Sequence, residues 1–120
     1  MKHRTILVTG ASGYVGGRLA PRLVEHGYRV RVISRDASRL QGRDWSNIEI
    51  VQADALDPGS LEVALQGVGT AYYLIHSMAA GPREFVRQDR EAARNFAMAA
   101  YRAGVEHLIY LGGLGDASPA

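Results

Sequence analysis

The sequence predicts a doubly wound α/β domain: a parallel sheet of five strands, ordered 3-2-1-4-5, with helices on both faces. Three observations predict it. Short apolar runs alternate with stretches of helical periodicity along the 120 residues. The first run, Thr5 to Thr9, is apolar without interruption, as a central strand covered on both faces requires. That run breaks off at a turn with glycines at positions 10, 13 and 16, and a helical pattern follows at once.

The turn after strand one carries the chemistry. A helix that starts there points its free N–H groups, and the positive end of its dipole, out of the sheet, which makes an anion site. Gly10 suits the tight turn, Gly13 lets a phosphate approach the main chain, and Gly16 allows close packing of helix on strand. The ligand this points to is the pyrophosphate of a dinucleotide; a glycine turn used only for packing is the alternative. The spacing is G-x-x-G-x-x-G, not G-x-G-x-x-G.

The run Thr9-Gly10-Ala11-Ser12-Gly13-Tyr14-Val15-Gly16 resembles the glycine motif of the extended and atypical short-chain dehydrogenase/reductases. It is most similar to their NAD(P)H-binding, sugar-epimerase-like and NmrA-like members, and the resemblance extends from Thr5 to about Gly115. It implies a Rossmann-type fold with the pyrophosphate over Ser12, Gly13, Tyr14 and Val15, and the cofactor at the switch point between strands one and four.

The first helix is expected from Ser12 or Gly13 to His26, with Val15, Leu19, Leu23 and Val24 on its buried stripe. Pro21 lies inside it and predicts a kink rather than a break, because the crowded carbonyl four residues back belongs to Gly17. Gly27 is the expected C-cap. Strand two, Arg29 to Ser34, places Val30, Val32 and Ile33 inward and Arg29 and Arg31 outward. It ends at Ser34-Arg35, where an enzyme selecting NAD would place a carboxylate for the ribose 2′-OH. A guanidinium there can instead bind a 2′-phosphate bidentately and stack on adenine, so the expected cofactor is NADP(H) in preference to NAD(H). The alternatives are that Arg35 is an ordinary surface arginine or pairs with Asp36.

Residues 36 to 47 read as loop or a short helical turn. Strand three is Ile48 to Gln52, ending at Ala53-Asp54-Ala55. The resemblance implies that Asp54 accepts from the adenine amino group, with Ala55 beside the base; a cap or turn former is the other reading. Asp57-Pro58 marks a helix start, carboxylate at the N-cap and proline at the first position, for a helix ending near Gly67.

Strand four, Thr70 to Ile75, leads into His76-Ser77-Met78-Ala79-Ala80-Gly81. By resemblance, the backbone of His76, Ser77 and Met78 lines the nicotinamide ribose. His76 reads as a packed, hydrogen-bonded residue beside the cofactor, with a general base as the alternative. The longest helix runs from about Pro82 to Ala103, capped by Gly104, with Phe85, Ala92, Ala93, Phe96, Ala97 and Ala100 on its apolar stripe. Asp89 falls on that stripe, and a buried carboxylate is costly unless paired or functional. The family usually has an Asn there, supporting an active-site water chain; a salt bridge to a neighbouring arginine is the favoured reading here.

Strand five, His107 to Leu111, runs into Gly112-Gly113-Leu114, where relatives carry a Ser/Thr cluster that hydrogen-bonds the substrate. No Tyr-x-x-x-Lys is present, the only lysine being Lys2, so no catalytic residue is assigned. The expectation is the N-terminal part of a longer protein, inactive alone, with strand five an exposed edge inviting self-association.

The remaining numbers exclude more than they assign. The net charge of +2 and thirteen scattered arginines give no nucleic-acid stripe. With no cysteine there is no disulfide framework or thiolate metal site, and no apolar run is long enough to span a membrane, which together suit the cytoplasm. Three function classes follow: an NADP-dependent oxidoreductase or epimerase acting on an unidentified small molecule, a non-catalytic NmrA-like NADP(H) sensor, and an interaction domain that has lost its cofactor.

Overall fold

The computed structural model describes residues 4–10, 14–40, 45–74 and 83–110. Its elements alternate strictly: β1 (Thr5–Val8), α1 (Tyr14–Glu25), β2 (Val30–Ser34), a 3-10 turn (Ala37–Leu40), β3 (Ile48–Gln52), α2 (Pro58–Ala64), β4 (Val68–Tyr73), α3 (Arg83–Ala103) and β5 (His107–Tyr110). All pairings are parallel and the strands lie in the order β3-β2-β1-β4-β5, as the sequence predicts. With β1 central, the chain winds outward one way through β2 and β3 and the other way through β4 and β5. The switch point therefore lies between β1 and β4.

Neighbouring residues of a strand point to opposite faces, and this sorts the apolar side chains into two cores. Leu7, Ile33 and Tyr73 face α2 and α3, packing with Leu61, Leu65, Phe96, Ala99 and Ala100. Val8, Val32 and Leu74 face α1 and pack with Ala20, Val30 and Leu40, and with half-buried Leu19, Leu23 and Val24. Among the described side chains of α3, the buried ones are Ala92, Phe96, Ala99 and Ala100, with Ala93 at the margin, and Phe85, also expected there, lies outside them. Ala97, expected on this stripe, is exposed, because it lies about 100° around the helix from Phe96.

Local chemistry sets most boundaries. Asp57 caps α2, its carboxylate accepting from the Gly59 N–H at 3.2 Å, with Pro58 as the first helical residue. α1 runs through Pro21 without interruption and ends before Gly27, whose φ of +90° closes the turn. α1 is described from Tyr14, and the start expected at Ser12 or Gly13 lies outside the described residues. α2 ends at Ala64, earlier than expected, since Gly67 (φ +79°) turns the chain and lets β4 begin at Val68.

Another expectation fails. Arg31 is not an outward-facing solvated residue: its side chain is only 15% exposed. Its Nε donates to Glu49 Oε1 at 2.9 Å, and its Nη1 donates to the carbonyls of Ala64 at 2.6 Å and Gln66 at 2.8 Å. The Ala64 carbonyl closes the last turn of α2 and the Gln66 carbonyl lies just beyond it, where neither has a helical partner. The cation satisfies them and complements the negative end of the helix.

Candidate functional site

The parallel sheet brings the C-terminal ends of its strands to one edge, and the described residues among those singled out, Gly10, Tyr14, Val15, Gly16, Arg35, Asp54 and Ala55, follow those strand ends. At the end of β1, Thr9 is buried. Its N–H donates to the Tyr72 carbonyl at 3.0 Å, and its Oγ1 donates to the same carbonyl at 3.1 Å and accepts from the Leu74 N–H at 3.0 Å. This knot fastens β1 to β4 just beyond the paired strands.

Gly10 follows with φ +69°, in the left-handed region. A Cβ on it would lie 3.2 Å from the Leu74 carbonyl oxygen and 3.3 Å from its carbon. Both the turn and the close approach to β4 therefore need glycine. Four residues later α1 begins at Tyr14, with Val15 half-buried and Gly16 buried in its first turn. Ser12 and Gly13 lie outside the described residues, as do His76, Ser77, Met78 and the strand-five exit at 112–114.

At the end of β2, Arg35 is exposed and enters none of the ion pairs among the described residues. The Asp36 Oδ1 accepts from the Ser38 N–H at 3.0 Å and from its hydroxyl at 2.6 Å. Arg35 follows the C-terminal end of β2, the strand that pairs with β1. At the end of β3, Asp54 is half-buried and its Oδ1 accepts from the Leu56 N–H at 2.9 Å. Its own N–H donates to Ser60 Oγ at 3.0 Å. The carboxylate forms a turn, as one reading had it, with Oδ1 so engaged. Next to it, Ala55 is half-buried and its carbonyl accepts from Asn95 Nδ2 of α3 at 2.9 Å.

Asn95 and Thr9 are the site-supporting residues that sequence reasoning passed over. Thr9 had a local signal, a hydroxyl immediately before the first glycine. Asn95 had none, because its partner lies 40 residues away.

At the end of β4, Tyr73 stacks on Tyr110 of β5, with ring centres 5.6 Å apart, and packs obliquely on Phe96 at 5.0 Å. Burial, reinforced by Tyr110 and Asp89, pushes its phenol up to about 12. The arginine salt bridge expected for Asp89 is not among the ion pairs of the described residues. A phenol that ionises near 10 in the unfolded chain and near 12 in the folded one holds more protons when folded between those values. Its contribution to stability is complete below about pH 10 and is lost as the pH rises through about 12. Urea unfolding across that range, compared with Tyr73→Phe, should show a decline that the variant lacks.

Among the described residues no helix is long and apolar enough to cross a membrane. Residues 2–118 match the model of the NmrA-like family. A curated reductase of Streptomyces griseus, (4-alkanoyl-5-oxo-2,5-dihydrofuran-3-yl)methyl phosphate reductase, is 40% identical over 106 residues, 88% of this chain and 33% of that protein. The chloroplastic divinyl chlorophyllide a 8-vinyl-reductase of Zea mays is 31% identical over 118 residues, 89% of this chain and 29% of that protein. Among solved structures, triphenylmethane reductase from Citrobacter sp. in complex with NADP(H) superposes with a TM-score of 0.71 at 27% identity, covering 88% of this chain and 36% of that one. The chain thus spans about a third or less of the length of the curated relatives it matches. With a family match over nearly its whole length, a 3-2-1-4-5 parallel sheet and a glycine turn at the switch point, the chain belongs to the NmrA-like family, within the NAD(P)-binding extended short-chain dehydrogenase/reductases.

Proposed function

We propose that the chain is the NADP(H)-binding part of a reductase. The observation that carries this is Gly10: its left-handed turn runs against the Leu74 carbonyl, in a place a side chain would fill, four residues before the described start of α1. A turn of this kind lets a diphosphate approach the main chain and meet the unpaired amides of the helix start. The residues present fit a dinucleotide. The first turn of α1 from Tyr14 holds its diphosphate, the Arg35 guanidinium its 2′-phosphate, and the Asp54 carboxylate the amino group of its adenine. Thr9 keeps β1 and β4 together beneath it. When bound, the cofactor supplies the hydride, and the protein orients it and keeps water away. The groups that polarise the substrate belong to the rest of the protein. Both curated relatives described above are reductases, and with the NADP(H) complex of one structural neighbour they support this reading.

Titration of the full-length protein with NADPH and NADH tests it. NADPH should bind more tightly, and Arg35→Ala should weaken NADPH roughly tenfold while leaving NADH nearly unchanged, as loss of an exposed, charge-assisted phosphate contact implies. Equal binding of both cofactors, or an Arg35→Ala variant with the wild-type preference, would remove the NADP(H) assignment.

A further inference from the structure

The peptide between Ala55 and Leu56 is gripped from both sides. Its carbonyl accepts from Asn95 Nδ2 at 2.9 Å, and its N–H donates to Asp54 Oδ1 at 2.9 Å. A peptide unit is planar, so fixing its oxygen fixes the direction of its hydrogen. The orientation of the Asp54 carboxylate is thereby linked to a side chain on α3. Hydrogen bonds in such a chain also polarise one another, which strengthens each of them.

We infer that Asn95 is a positioning residue for the adenine end of the site: through the Ala55–Leu56 peptide it holds the Asp54 carboxylate in the orientation that accepts from the 6-amino group of the base. The inference rests on the dinucleotide reading above and deepens it. Closure of the loop itself does not need Asn95. The Asp57 N–H donates to the Asp54 carbonyl at 2.8 Å, and the Ser60 hydroxyl receives the Asp54 N–H and donates to the Asp54 and Asp57 carbonyls at 3.1 and 2.9 Å. The packing of α2 against α3 does not need it either, since Leu61, Leu65, Phe96 and Ala99 already fill that contact. The Asn95 bond goes to the one peptide whose N–H aims the carboxylate. Asp54 is half-buried, and with one oxygen already engaged it can present the other to a donor only within a narrow range of rotamers.

The test compares two probes on the full-length protein, NADPH and its 6-oxo (deamino) analogue, in which the amino donor is replaced by a carbonyl acceptor. Wild-type protein should favour NADPH by roughly tenfold, because the analogue sets an acceptor against a carboxylate. In Asn95→Leu, which keeps the volume and removes the donor, that ratio should fall roughly tenfold, toward equality. Asn95→Gln, which keeps an amide donor on a longer arm, should restore a large part of it. A purely structural role would weaken both probes in parallel and leave the ratio alone. If Asn95→Leu fails to fold, Asn95→Asp replaces it, since an acceptor there faces the Ala55 carbonyl with no proton to offer. A ratio unchanged in the folded variant overturns the proposal, as does a wild-type protein that binds NADPH and the analogue equally well; in both cases the cofactor assignment survives. A wild-type protein that binds neither probe removes the cofactor assignment and this proposal with it.

Discussion

Gly10→Ala is expected to destabilise the fold by roughly 2–4 kcal/mol and to weaken NADPH at least tenfold, from a left-handed residue carrying a Cβ and from crowding at a packed contact. The two causes are separate. At φ +69° a Cβ strains the backbone of residue 10 itself. The same Cβ would then press on the Leu74 carbonyl from 3.2 Å. That carbonyl cannot easily retreat, because the Leu74 N–H and the Tyr72 carbonyl are both held by Thr9. The displacement must fall on the turn itself, and so on the place where the diphosphate would sit. Thermal melts and cofactor titration of Gly10→Ala and Gly10→Asn separate the terms. Asn tolerates left-handed backbone better than Ala, so it should recover about 1 kcal/mol of stability but little of the affinity. A Gly10→Ala protein with wild-type stability and binding would show that neither the turn nor the contact matters.

Phe96→Ala is expected to cost about 3–5 kcal/mol, the usual penalty for deleting a buried aromatic ring. Phe96 is 1% exposed, lies in the core shared by α2, α3 and the sheet, and supports the Tyr73 ring at 5.0 Å. Removing it leaves a cavity beneath the end of β4 that neighbouring alanines, Ala99 and Ala100, are too small to close. Since a domain of this size has only about 5–15 kcal/mol in hand, much of the population should unfold under mild conditions. Urea denaturation reads this directly; a midpoint displaced by less than about 1 kcal/mol would place the ring outside the core.

What the sequence could convey was local. Gly10, the Asp57-Pro58 start and the Gly27 and Gly104 stops are legible because each acts within a few residues of itself. Strand order was legible because alternating elements with right-handed crossovers leave few topologies. What escaped were the links between distant elements. Arg31 alternates with buried Val30 and Val32, which suggests solvent, yet its partners are the Ala64 and Gln66 carbonyls, 33 and 35 residues on. Asn95 and Ala55 are likewise joined only once α3 has packed beside α2. Asp89 reads as half of an ion pair because arginines surround it in sequence, yet it enters none of the ion pairs of the described residues. Side-chain periodicity fixes a face, and it does not say what waits on that face.

The clamp by Arg31 has a consequence for recognition. Asp57 caps the start of α2, and the guanidinium ties its far end to β2, so both ends of this short helix are fixed. The segment between β3 and α2 hangs from that fixed post and has little freedom left to lose. A nucleobase docking there would meet a ready-made ledge, and its binding would carry only a small ordering penalty on the protein side.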